Sequence, residues 1–311
     1  PVIFPTGQLI GVANNFLKSY SMPELPEVET VARGLQVALT GCTITGTKVL
    51  WKRSIVPPDP DVFARRLAGQ KINSVNRRGK WIVMSLSGDD TLLIHLRMSG
   101  RLVVEEDACL DNRHLRVLLF LEDGRRLSFV DQRKFGRLHL TNNPDQVLGN
   151  LGPEPLSEAF TAGRLIEMLK QRKGRIKPLL LDQHFVAGLG NIYTDESLWR
   201  ARIHPLRSAN TLTPAEVKGL HESIRSVLTA AIASGGTTLD DESYRQANGR
   251  PGEFLGKLVV YGRAGRPCPR CEQAIERIVV GQRGTHFCPR CQSPQEKKLK
   301  VQGIDSEANK A

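Results

Sequence analysis

The sequence is sparing with aromatic residues, which make up 5% of its 311 positions, and with methionine, of which there are four. It has no uninterrupted apolar run of the ~18 residues that a bilayer-spanning helix needs, so no membrane span is expected. Residues 1–21 hold one lysine, no arginine and no unbroken apolar stretch. They do not read as a secretory or organelle-targeting segment, and a cytoplasmic location is expected. Cysteine is scarce: six residues, of which Cys42 and Cys109 stand alone and four cluster near the C-terminus. That pattern disfavours a disulfide framework and suits a reducing compartment with a metal site. Acidic residues are the minority charge. Asp plus Glu number 32 against 44 for Lys plus Arg, a formal net charge of +12. Such an excess points to a polyanionic partner, either nucleic acid or an anionic surface.

What is present reads as a globular chain long enough for more than one domain. Residues 1–21 show no period and are expected to be an upstream extension, absent from the mature protein. Met22 reads as the natural start. Its removal would leave Pro23 with a free secondary amine beside Glu24. From Pro26 the apolar positions Val28, Val31, Ala32, Leu35 and Leu39 follow helical spacing, with Gly41 as the stop. Glu27 and Glu29 suit the positive end of that helix. From Thr43 to Leu140 short apolar segments alternate with turns: Ile72–Val75, Trp81–Leu86, Thr91–Leu96, Leu115–Leu121, Leu127–Val130 and Arg137–Leu140. This spacing predicts an antiparallel sandwich or barrel. Asn142-Asn143-Pro144 and Gly152-Pro153-Glu154-Pro155 mark a boundary. The chain then reads as helical to about Ala233, broken by Pro178 and by Gly188 and Gly190. The expected division is 22–150, a β domain with an N-terminal helix; 153–250, a helical domain; 257–291, a hairpin; and 292–311, a disordered tail. The fold class is α+β and multidomain.

Cys268-Pro-Arg-Cys271 and Cys288-Pro-Arg-Cys291 form two Cys-x-x-Cys pairs separated by sixteen residues. Each pair can offer two thiolates from a tight turn, and the span between them is long enough for a β-hairpin. Four sulfurs close a tetrahedral site with no position left for water, so one structural zinc ion is expected and no organic cofactor. The hairpin turn would hold Arg283 on a rigid tip, a cation aimed at phosphate.

The opening Pro-Glu-Leu-Pro-Glu-Val-Glu, the Gly188-Leu189-Gly190-Asn191-Ile192-Tyr193 segment between two helices, and the four-cysteine hairpin together resemble the formamidopyrimidine-DNA glycosylase family. The resemblance runs from Met22 to Gln292 in the family's order. It implies a β-sandwich domain, a helix–two-turn–helix domain and a zinc-bound hairpin. It also implies a monomeric enzyme that removes oxidised purines from duplex DNA and then cuts the strand. By that resemblance Pro23 is the nucleophile and Glu24 the acid. Lys80 assists β-elimination, and Arg283 supports the later δ-elimination. His114, Arg133, Lys173 and Asn191 match DNA-contact residues, with Lys170 and Lys177 close rivals of Lys173. Backbone N–H groups beside Asn191 are expected to bind phosphate. Met98, Arg133 and Phe135 match the residues that fill the void left by an extruded base. Taken alone, Met98 and Phe135 would also suit a core. Residues Asn248–Phe254 are expected to close over the extruded base.

Two rival readings have distinguishing features. The related pyrimidine-directed branch, resembling endonuclease VIII, usually opens with Pro-Glu-Gly-Pro, where this chain has Leu25. A non-catalytic zinc-ribbon DNA-binding protein would need no free amine at Pro23.

Overall fold

The computed structural model describes residues 22–106, 112–239 and 244–294. The expected extension, the lone Cys109 and most of the expected tail lie outside the described residues. The first helix, α1 (Leu25–Leu39), buries Val28, Val31, Ala32, Leu35 and Leu39. These are the positions that the helical period picks out. Eight strands follow: β1 (Ile44–Val49), then, after helix α2 (Pro60–Leu67), β2 (Ile72–Arg78), β3 (Trp81–Leu86), β4 (Thr91–His95), β5 (Gly100–Glu105), β6 (Leu115–Leu121), β7 (Arg126–Asp131) and β8 (Arg137–Thr141). They form two four-stranded antiparallel sheets, ordered β1-β6-β7-β5 and β2-β3-β4-β8. Along β3 the burial alternates, with Ile82, Met84 and Leu86 inward, as one solvated face requires.

Three features depart from the sequence expectation. Helix α2 lies within the segment expected to be all β. Its start is signalled by Asp59, whose side chain accepts the Asp61 N–H, and by Pro60 in the first turn; both are helix-start signals. Strands β1 and β5 carry too little alternation to stand out. Pro178 does not break a helix; it sits in the first turn of one, where its missing N–H is harmless.

The helical part comprises α3 (Asp145–Leu148), α4 (Ala162–Lys170), α5 (Ile176–Leu181), α6 (Asn191–Arg200) and α7 (Pro214–Ala233). Strands β9 (Glu276–Val280) and β10 (Arg283–Phe287) form the C-terminal hairpin. Among the described residues there are three apolar cores. One fills the sandwich, one the helical part, and a small one surrounds Cys268 and Cys288. Helix α1 straddles the first two: Val28 and the apolar residues after it belong to the sandwich core, whereas Leu25 belongs to the helical core. The start of α1 is thereby pinned at the seam between them. Among the described residues no helix is long and apolar enough to cross a membrane.

Candidate active site and nucleic-acid interface

Glu24 immediately precedes α1, and its side chain leaves that helix for another. Its carboxylate accepts the backbone N–H groups of Gly190 (2.8 Å), Ile192 (2.8 Å) and Tyr193 (3.3 Å) at the amino end of α6. A helix amino end carries unpaired N–H groups and partial positive charge, so it suits an anion. Here the anion is the chain's own carboxylate. The expectation that these backbone groups receive a phosphate is therefore corrected: Glu24 already occupies them. The approach demands glycine, because a Cβ on Gly190 would lie 2.3 Å from the Glu24 carboxyl carbon. Glu24 is 2% exposed. Burial raises its pKa, opposed by the charge of Lys80 and by the three N–H bonds.

Glu27 lies one turn further on and is equally buried. It accepts the N–H groups of Glu24 and Thr237, both at 2.8 Å, and the hydroxyl of Tyr193. Burial, aided by the nearby charge of Glu24, raises its pKa to about 7. The sequence places Glu27 at the positive end of the helix, without indicating its burial. The Glu-x-x-Glu spacing of a capping box was the available signal that it turns inward.

Pro23 is buried next to these carboxylates. With Met22, Glu27, Ile192, Thr237, Leu239 and Tyr244 it lines a small pocket. In the sequence above, its nitrogen follows Met22 and is an amide. Asn248, from the segment expected to close over a base, instead lines a separate groove beside Thr30 and Gly34. The pocket's own wall comes from Thr237, Leu239 and Tyr244.

Lys80 occupies the two-residue turn between β2 and β3. Gly79 precedes it at φ +57°, the first-position geometry of a tight hairpin turn. Three contacts press this turn onto the helical part. The Arg77 guanidinium lies 2.8 Å from the Glu154 carboxylate, Arg78 donates to the same carboxylate at 3.0 Å, and the Gly79 N–H also donates to it. Lys80 is a buried lysine rather than a solvated one. Burial lowers its pKa, while the charges of Glu24 and Glu27 act to raise it.

Arg283 opens β10 directly after the Gly281-Gln282 turn, whose two residues both have positive φ (56° and 62°), the geometry that suits twisted hairpins. It is exposed, and its charge acts on both Lys80 and Lys177. The hairpin is held from below. The Gly284 carbonyl accepts from Lys177 Nζ (3.1 Å) and from Asn191 Nδ2 (2.9 Å). Lys177 is fully buried and paired with Asp195 at 2.6 Å. Asp195 also accepts the His286 N–H at 2.8 Å. Lys177 is thus an internal strut, not a free surface cation. Its place in the apolar run Ile176–Leu181 was the sequence signal. Lys173 is exposed between α4 and α5, and Lys170 pairs with Glu167.

The four cysteines place their sulfurs within 4.8 Å of one another. Three of the pairs are 3.3, 3.4 and 3.9 Å apart. A tetrahedral zinc ion with Zn–S bonds of ~2.3 Å sets its sulfurs roughly 3.8 Å apart, so the donor set fits one zinc ion with no open position. The Trp199 indole N–H donates to Cys268 Sγ at 3.4 Å, which ties the knuckle to the end of α6.

On the sandwich side, Met98 and Phe135 line one open pocket of about 380 Å³ with Met22, Arg97 and Arg137. Phe135 is 46% exposed, and the Arg133 guanidinium lies 5.0 Å from its ring centre. His114 lies among Arg101, Arg113 and Arg116; burial and these charges lower its pKa.

Residues 22–138 match the formamidopyrimidine-DNA glycosylase N-terminal domain. Residues 151–243 match its H2TH domain, and residues 265–294 match a zinc finger found in FPG and IleRS. The chain is 52% identical over 265 residues to formamidopyrimidine-DNA glycosylase of Chloroflexus aurantiacus, covering 84% of this chain and 94% of that one. The Roseiflexus sp. enzyme of the same name is 48% identical over 264 residues, covering 84% of this chain and 96% of its own. Among solved structures, the MutM (FPG) protein of Thermus thermophilus superposes with a TM-score of 0.79 at 42% identity, covering 88% of this chain and all of that one. Lactococcus lactis Fpg in complex with DNA containing N7-benzyl-Fapy-dG gives 0.81 at 38% identity, with the same coverage. With the motifs in order, the geometry around Glu24 and this similarity over most of its length, the chain belongs to the formamidopyrimidine-DNA glycosylase family.

Proposed function

We propose that this protein excises oxidised purines, 8-oxoguanine and formamidopyrimidines, from duplex DNA and then cleaves the strand as an abasic-site lyase. The observation that carries this reading is the placement of Pro23 beside the buried carboxyl of Glu24, on which the charge of buried Lys80 acts. As a free amine, Pro23 attacks C1′ of the damaged nucleoside, and the C1′–N bond to the base breaks. The C1′–O4′ bond then opens, with a proton going to O4′, and because the amine is secondary the resulting iminium is permanently cationic; it acidifies the C2′ proton, so elimination of the 3′ phosphate follows. Glu24, whose pKa burial raises, is the acid that protonates the departing group. Lys80 and Arg283 neutralise the phosphates that leave. Arg133, His114, Lys173 and Asn191 contact the DNA, and Met98, Arg133 and Phe135 fill the void. The four cysteines hold one structural zinc ion, which organises the hairpin and takes no part in the chemistry. The protein acts as a monomer in the cytoplasm, bound to DNA.

The test compares the full chain with one beginning at Pro23. Each is incubated with duplex containing 8-oxoguanine and treated with borohydride. A covalent protein–DNA adduct is expected only from the shorter chain. No adduct and no nicking from either would leave a DNA-binding module without catalysis. Adducts confined to oxidised pyrimidines would favour the other branch, against which Leu25 and the full Met98, Arg133 and Phe135 set already argue.

A further inference from the structure

Met98 and Phe135 stand on two different connections, β4–β5 and β7–β8, yet the same buried carboxylate holds both. Asp131, at the end of β7, is fully buried. Its Oδ1 accepts the Ser99 hydroxyl at 2.5 Å and the Arg133 N–H at 3.2 Å, and its Oδ2 accepts the Gly136 N–H at 2.7 Å. Ser99 Oγ also accepts the Arg133 N–H at 3.0 Å. Ser99 follows Met98 directly, while Arg133 and Gly136 bracket Phe135. A buried carboxylate is tolerated only when donors surround it, and here those donors come from both connections. Beneath them lies a shared apolar floor. Phe129 is two residues before Asp131 and therefore on the same face of β7. A Cβ on Gly100 would come 3.0 Å from its ring, and one on Gly136 would come 2.4 Å from it. Arg97 and Lys134 each precede an apolar tip residue, and both adopt left-handed backbone (φ 56° and 61°), which side-chain-bearing residues seldom take unless held.

We infer that Ser99 and Asp131 are positioning residues that latch the Met98 and Phe135 connections into one rigid wedge. The inference rests on the proposal that these side chains enter the duplex. It adds that they enter as a unit, because moving one connection breaks the hydrogen bonds of the other.

The test is a double-mutant cycle on affinity, using the full chain and duplex that carries a tetrahydrofuran abasic site, which needs no chemistry at Pro23. Kd is measured for Met98→Ala, Phe135→Ala and the double variant, in the parent and in a Ser99→Ala background, with undamaged duplex as control. In the parent the double variant is expected to bind no more weakly than the weaker single one, a departure from additivity on the order of tenfold. In Ser99→Ala the two losses multiply. Ser99→Thr, which keeps the hydroxyl, retains the coupling, a rescue that a merely structural role would not predict. Asp131→Asn replaces Ser99→Ala should that variant not fold. Multiplying losses in the parent, or undiminished coupling in Ser99→Ala, overturns the latch. If neither Met98→Ala nor Phe135→Ala weakens binding to the abasic duplex, the wedge reading itself fails and takes the latch with it.

Discussion

Glu24 Oε1 accepts the Ile192 N–H at 2.8 Å across 168 positions of sequence. That bond joins the residue before α1 to the amino end of α6, and so joins the sandwich to the helical part at the proposed site of chemistry. The N–H groups hold the carboxyl in place and act to lower its pKa, while burial, the larger effect, raises it.

Substituting Glu24→Gln keeps the volume but removes the acid. In the chain beginning at Pro23, single-turnover excision of 8-oxoguanine is expected to fall about 10²–10⁴-fold, the usual worth of general acid catalysis. Cleavage of a preformed abasic site has no base to release and should fall much less. Equal losses on both substrates would show that Glu24 acts through structure alone.

Glu27 should make stability depend on pH. Its pKa is raised from the ordinary 4.5 to about 7, so the folded state prefers the protonated form. The associated stability is fully present below pH 4.5 and is lost as pH rises towards 7, by on the order of 3 kcal/mol. Denaturant unfolding at closely spaced pH values measures this slope. Glu27→Gln is expected to flatten it, whatever the variant's absolute stability. An unchanged slope would locate the titration elsewhere.

Removing zinc should disturb more than the knuckle. Without the metal the thiolates lose their shared partner, and the hairpin no longer presents the Gly284 carbonyl to Lys177 and Asn191. Lys177 and Asp195 would then be left in an apolar site with part of their hydrogen bonding gone, which is costly for a buried pair. Chelation is expected to change the fluorescence of Trp199, whose indole donates to Cys268, and to weaken DNA binding by at least about tenfold, the worth of ~1.4 kcal/mol. Trp199→Phe should lose the fluorescence change but not the loss of binding. Full DNA affinity after complete metal removal would show that the hairpin is held without zinc.

Much of the fold was legible because its signals are local. The spacing of Val28, Val31, Leu35 and Leu39 specifies α1, the alternation from Trp81 to Leu86 specifies β3, and the two Cys-x-x-Cys pairs specify a hairpin on a metal. Each needs only a few neighbouring residues to be read. Helix α2 is marked only by Asp59 and Pro60 at its start, a short signal set among strand-like segments. The resemblance drew together Pro23, Glu24, Lys80 and Arg283 from distant parts of the chain.

The sequence by itself determined most of the secondary structure, the metal ligands and the chemical types of the candidate site residues, since these follow from backbone preference, spacing and side-chain chemistry. Tertiary structure alone decided which charged groups are buried and what satisfies them. Glu27 faces Tyr193 and Thr237, Lys177 faces Asp195, and Asp131 binds two connections at once. These partners are separated by up to 210 positions. The desolvation that raises the pKa of Glu27 and turns Lys177 into a strut exists only once packing has excluded water, which no local pattern of residues records.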